Sequence, residues 1–163
     1  MAKTYTPIAT TTLANSSTAE VTFSSIPSTY TDLILVMSGK QVVATTLKLQ
    51  FNSDTSSNYS YTRISSNGSA AGTETFGSQT TMPIGYGGTE WYNVITQIQN
   101  YSNTTAYKTS LSRSNPGNQF VFGYVSMWRS TAAINTIRIV TDNLSSTYFV
   151  SGSMFTLYGI KAA

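Results

Sequence analysis

The sequence predicts an all-β fold: a single antiparallel β-sandwich, jelly-roll-like, with about ten strands. Three observations lead there. Apolar residues alternate with polar ones or form short runs, and clusters of Ser, Asn, Gly and Pro interrupt them at intervals of roughly 8 to 14 residues, the spacing of strands and turns. The chain carries 24 Ser and 27 Thr in 163 residues while keeping 40% hydrophobic residues, so apolar surface suffices for one core. Only 9% of residues are charged, against roughly 25% in an average soluble domain, which excludes disorder driven by charge excess. The length and the lack of a linker predict one domain over residues 1–163.

The elements follow in order. A first strand is predicted over Thr4–Leu13, where Pro7 demands a sheet edge or a bulge because proline gives no N–H to a ladder. Glu20–Phe23 comes next, with Val21 and Phe23 inward, and ends at Ser25-Ile26-Pro27. Asp32–Ser38 is apolar on both faces and reads as a central strand covered on both sides, closed by Gly39. Leu47, Leu49 and Phe51 alternate with Lys48 and Gln50, the pattern of a strand with one wet face. Asn58–Ile64 places Tyr59, Tyr61 and Arg63 on one face and Ser60, Thr62 and Ile64 on the other. Ser65–Gly88 holds six glycines and one proline and is expected to be a long irregular loop. Glu90–Gln99 is a long strand with Tyr92, Val94, Thr96 and Ile98 facing the core. Thr105–Ser112 pairs back, with Tyr107, Thr109 and Leu111 sharing a face. Asn115-Pro116-Gly117-Asn118 then signals a hairpin turn into a strand whose Phe120, Phe122, Tyr124 and Trp128 are expected in the interior. Ile134–Val140 and Ser153–Ile160 supply the last two strands.

The same residues exclude much chemistry. Without His or Cys there are no disulfides, no thiolate or imidazole metal ligands and no nucleophile activated by a histidine base. No Gly-x-Ser-x-Gly elbow occurs, and Gly85-Tyr86-Gly87-Gly88 lacks the lysine of a phosphate-cradling loop. The acidic residues Glu20, Asp32, Asp54, Glu74, Glu90 and Asp142 stand far apart in sequence and read as strand-end and turn residues rather than a glycosidase pair. Asn52, Asp54 and Asn58 share a loop and could offer oxygens to calcium, but the spacing and closing glutamate of an EF-hand are missing, so turns built on Asx hydrogen bonds are the preferred reading. No catalytic residue, metal or cofactor is expected.

Nine basic residues give a net charge of +3 but are scattered with no two adjacent, which is no footprint for nucleic acid. The longest apolar run, Leu33–Met37, is far short of the ~20 residues that span a bilayer, and the N-terminal residues lack the apolar stretch of a secretion signal. No membrane insertion is therefore expected, the chain is expected to be made in the cytoplasm, and the absence of cysteine neither supports nor forbids a later life outside the cell. Aromatic side chains are the richest resource, since they anchor interfaces and stack on sugars. Tyr59, Tyr61, Tyr86, Trp91 and Tyr92 lie on or beside the glycine-rich segment and are the candidates for a rim that touches a glycan or a protein partner; the competing reading places them in the core.

Two stretches carry a resemblance: YTPIATTTL followed by VTFSSIPSTYTDLILV near the start, and SMFTLYGIKA at the end. They resemble small virion structural proteins of tailed bacteriophages, in which such segments frame a variable middle. Val21, Phe23, Ile26, Tyr30, Leu33 and Leu35 match the opening core positions and Phe155, Leu157, Tyr158 and Ile160 the closing strand. The resemblance implies a non-enzymatic protein of the virion, made in the host cytoplasm: a capsid decoration (head-accessory) subunit, or alternatively a tail or fibre module that binds host surface glycans. A glycan-degrading depolymerase ranks third. The implied partners are the major capsid protein or tail proteins and further copies of the chain, with the Pro7 strand a candidate edge for strand exchange.

Overall fold

The computed structural model describes residues 4–117, 120–142, 144, 146 and 148–161. Among them twelve strands form: β1 (Tyr5–Thr12), β2 (Glu20–Phe23), β3 (Asp32–Gly39), β4 (Thr45–Phe51), β5 (Tyr59–Ser66), β6 (Ala71–Gln79), β7 (Met82–Gly87), β8 (Tyr92–Gln99), β9 (Lys108–Asn115), β10 (Val121–Trp128), β11 (Ile137–Thr141) and β12 (Met154–Ile160). They make two antiparallel sheets packed as a β-sandwich. The large sheet runs β1-β12-β3-β8-β9-β10-β5-β6 and the small one β2-β11-β4-β7. The two strands beyond the expected ten come from Ser65–Gly88, predicted as irregular and found as β6 and β7. Composition misled there: Thr73, Thr75, Met82 and Ile84 supply strand residues, while Gly72, Gly77 and Gly85 sit inside strands at an edge or a close approach.

The inner faces meet as period-two alternation requires. Leu33, Leu35 and Met37 of β3, Val94 and Ile98 of β8, and Phe155 and Leu157 of β12 pack towards Val21 and Phe23, Leu47, Leu49 and Phe51, and Ile137 and Ile139 of the small sheet, all buried in one core. At one end Phe51, Tyr59 and Trp128 form an aromatic cluster, with Tyr59 and Trp128 stacked at 6.3 Å. β1 lies at the edge, with a bulge between Pro7 and Ala9 as proline dictates. β12 sits between β1 and β3, so the first and last strands are neighbours in one sheet. Gly159 admits the Tyr30 ring there: a Cβ would lie 2.3 Å from Tyr30 Cγ.

Two strands depart from simple expectation. β3 is central as predicted, yet Ile34 and Val36 on its outer face are only half-buried, because among the described residues no further layer covers the large sheet. β9 turns Lys108, Ser110, Ser112 and Ser114 inward and Thr109, Leu111, Arg113 and Asn115 outward, with the small polar residues inside. The close approach of β7 explains it. Ser110 Oγ donates to Met82 sulfur at 3.3 Å, and a Cβ on Gly85 would sit 2.8 Å from Ser114 Cβ, so larger side chains would push the sheets apart. Ser112 Oγ donates to Thr96 Oγ1 at 3.0 Å, which satisfies the buried hydroxyl. The buried Lys108 ammonium donates to the carbonyls of Ala106 (2.7 Å) and Thr131 (3.2 Å), and burial lowers its pKa.

Candidate interaction surfaces

β7 is the outermost strand of the small sheet and packs against β8, β9 and β10, so the inner face of the large sheet emerges beyond it along β10, β5 and β6. On that shelf aromatic rings line up, because residues two apart on β10 share a face. Phe120 and Phe122 lie 6.1 Å apart and nearly parallel at 8°, and Phe122 and Tyr124 follow at 6.3 Å. Tyr86 meets Phe122 at 5.8 Å, Tyr61 meets Tyr124 at 6.2 Å, and Tyr61 stacks on Phe76 at 4.9 Å. The Arg63 guanidinium lies 5.7 Å from the Phe122 ring centre and pairs with Glu74 at 2.7 Å. Burial pushes the Tyr124 phenol up to about 12 although Arg63 pulls the other way. Two clefts of about 340 and 350 Å³ share Tyr86, Phe120 and Phe122; Thr89 and Glu90 border the first, Arg63, Ser65 and Asn67 the second.

The five predicted contact residues divide. Tyr59 and Tyr92 are core residues, which corrects their place on an exposed rim. Tyr59 Oη donates to the Asp54 carbonyl and accepts from the Phe51 N–H, and burial raises its pKa to about 12; burial raises that of Tyr92 further. Tyr61 and Tyr86 belong to the aromatic row. Trp91 is 53% exposed but stands beside the turn at Gly152 and lines neither cleft. Conversely Phe120 and Phe122, expected in the interior, line both clefts, Phe120 being 43% exposed. The alternation put them on the correct face; where the opposite sheet ends is a property of the assembled sandwich and left no mark on the strand.

The Asn52–Asn58 loop is built from Asx hydrogen bonds. Asp54 accepts from Ser56 N (2.9 Å), Asn58 Nδ2 (2.9 Å) and Trp128 Nε1 (2.7 Å), and Asn52 Oδ1 accepts from the N–H groups of Asn135 and Thr136. Burial opposes the Asp54 charge, but these donors outweigh it and hold the carboxyl at about 2. The Asp54 carboxylate and the Asn52 amide oxygen are thus engaged by the protein's own donors.

A second surface was not singled out in the sequence. The ladder registers place Ile34, Gln97, Leu111, Val125 and Thr62 in one row across the outer face of the large sheet, and Val36, Ile95, Arg113, Gly123 and Ile64 in the next. Leu111, Val125, Ile64 and Val121 are each more than half exposed. A shallow groove of about 550 Å³ crosses this face between Tyr5, Ile34, Val36, Ile95 and Leu111. Its signal was present in Asp32–Ser38, whose two apolar faces promised a layer on each side; the described residues supply a layer on one side.

No protein-family model matches the sequence, and no curated protein matches it. Among solved structures, the galectin LEC-6 of Caenorhabditis elegans is similar at a TM-score of 0.38 and 6% identity, covering 94% of this chain and 96% of that one. A tetrameric galectin from the ball sponge Cinachyrella sp. is similar at 0.35 and 10%, covering 83% and 96%. A variant of alginate lyase Aly36B in complex with an alginate trisaccharide stands at 0.28 and 8%, covering 93% and 81%.

Proposed function

We propose that the chain is a non-enzymatic structural subunit of a tailed-phage particle, acting as a capsid decoration protein that adds protein–protein contacts between its neighbours. The observation that carries this reading is the outer face of the large sheet, where Ile34, Val36, Ile64, Ile95, Leu111, Val121 and Val125 stand with Arg113 as the charged group in their rows. Monomeric soluble proteins rarely leave such a contiguous apolar area open, and larger ones mark interaction sites. The low charge and the resemblance of both chain ends to virion structural proteins support the same reading. Purified protein added to phage heads stripped of it is expected to rebind and to raise their melting temperature; failure to bind heads overturns the reading. Immunogold labelling of intact particles provides the location, with label over the whole head expected.

The aromatic row favours a second reading, a tail or fibre module that recognises host surface glycan. Rings with flanking hydroxyl, amide and carboxylate groups, here Tyr86, Phe120 and Phe122 with Thr89, Glu90, Ser65 and Asn67, suit stacking on a sugar with hydrogen bonds at its edge. Label confined to the tail and loss of adsorption in Phe120→Ala would support it, whereas unchanged adsorption would sink it.

A further inference from the structure

A sandwich of two open sheets has four edge strands, and each is a template for pairing unless something blunts it. β1 carries Pro7 and a bulge next to it. β2 is four residues long, and its Glu20 is held by Arg138. β7 contains Pro83, is almost wholly buried, and its Tyr86 N–H donates to Ser114 Oγ at 3.3 Å. β6 differs from all three. It spans nine residues, lacks proline, lysine and arginine, and pairs with β5 alone. Its single charge, Glu74, is engaged by Arg63.

The side on which β6 is open follows from its hairpin. Asn67 N–H donates to the Ala70 carbonyl, which makes that couple a hydrogen-bonded pair. Bonded and non-bonded pairs alternate along an antiparallel ladder. Ser65/Gly72 and Arg63/Glu74 are therefore bonded, and Ala71, Thr73 and Thr75 aim their N–H and C=O groups away from β5. A bulge near Gly77 and Ser78, where Ser78 has φ 54°, confines the flat run to Ala71–Phe76.

We propose that this edge is where a second copy of the chain adds its own β6, antiparallel, across a two-fold axis through Thr73. The strand is self-complementary in that register: Thr73 faces its symmetry mate, Ala71 faces Thr75, and Glu74 faces Gly72, which leaves space for the carboxylate. The register one residue on would set Glu74 against Glu74, and like charges directly opposite are unfavourable. Pairing through β6 makes one continuous sheet from two large sheets and brings their apolar outer faces side by side, with Ile64 one strand in from the joint. The Pro7 strand, a candidate edge for exchange on sequence, carries the proline and the bulge that β6 lacks over Ala71–Phe76. The proposal uses the backbone of β6 and stands independently of the virion reading.

Two measurements test it. In sedimentation and light scattering the unmodified protein is expected to dimerise in the micromolar range, and Thr73→Pro, which removes an N–H on the open side and none from the β5 ladder, to raise the dissociation constant at least roughly tenfold. Thr73→Val, which keeps the N–H, is expected to dimerise as the original does. Because Thr73→Pro could unfold the hairpin, amide exchange of the unmodified protein provides a second readout: protection at Ala71, Thr73 and Thr75 is expected to rise with protein concentration. A monomer at all accessible concentrations, a dimer indifferent to Thr73→Pro, or exchange at these amides independent of concentration would each overturn the proposal. Head binding is scored separately and does not enter any of these outcomes.

Discussion

The two outer faces of the sandwich are built on opposite principles. On the small sheet, Arg138 of the inner strand β11 bridges to Glu20 on β2 and donates to Gln50 Oε1 on β4 at 2.8 Å, while Lys48 pairs with Asp142. Four of the chain's 15 charged residues are thus spent as pairs on a face that water wets. Across the large sheet the rows from β3 to β5 hold aliphatic side chains, glutamine, threonine and one arginine. An antiparallel sheet ordinarily keeps one face in the core and one in solvent with clean polar-out alternation. The small sheet comes close to this pattern and the two central rows of the large sheet depart from it, which is why the proposed assembly contacts are assigned to the large sheet's outer face.

The sharpest way to break that contrast is to give the large face the polarity of the small one. Leu111 and Val125 are directly paired neighbours on β9 and β10 and both exposed. The double variant Leu111→Asp, Val125→Asp is expected to lose about 100-fold in affinity for stripped heads, close to 2.7 kcal/mol. Its thermal stability is expected to fall by on the order of 1 kcal/mol, because the two aspartates stand directly opposite each other in the ladder while little packing is removed at exposed positions. Calorimetry of head binding beside the melting curve of the free subunit separates the two effects. Unchanged head binding would remove the large face from the assembly.

Both faces hang on one frame, and the Asp54 loop joins its layers: the carboxylate follows β4 of the small sheet and accepts from Trp128 on β10 of the large one. Since its pKa is held at about 2, below the ordinary 3.8, the stabilisation it brings is fully present above pH 4 and is lost as pH falls from there through about 2. Allowing for its partial exposure, the loss is on the order of 1–2 kcal/mol. Trp128→Phe removes one donor, so the acid-dependent part of the denaturant midpoint is expected to shrink; an identical acid profile would show that the loop does not couple the sheets.

Much of this frame was legible. Alternation located the inward residues of β2, β4 and β8, and Pro7 located an edge and a bulge, because steric and hydrogen-bonding demands act within a few residues. The glycine-rich middle was not legible, since a glycine in β7 is called for by Ser114 on a strand 29 residues away rather than by a local turn. The aromatic row was half-legible for a related reason: Tyr61 and Tyr86 were singled out by proximity to that segment, while Tyr59 and Tyr92 looked equivalent to them and differ only in lying under the small sheet. The apolar outer face was written plainly in Ile34 and Val36, but a strand apolar on both sides does not specify whether its own chain covers the second face.

The gentlest test acts on the small face. Arg138→Ala breaks the contacts to Glu20 and Gln50 at once, yet the Arg138 side chain is 29% exposed and that of Glu20 48%, and pairs so wetted contribute little. A loss below about 1 kcal/mol is expected, smaller still in high salt where the pair is screened. Removing the guanidinium also leaves Glu20 free in solvent and Gln50 without this donor on a mostly buried amide, so the salt-independent remainder of the loss reports on Gln50 and the salt-dependent part on Glu20. Head binding should not change in this variant. If it fell as far as in the Leu111→Asp, Val125→Asp double variant, the two outer faces would be equivalent in function despite their chemistry, and the contrast between them would describe solubility alone.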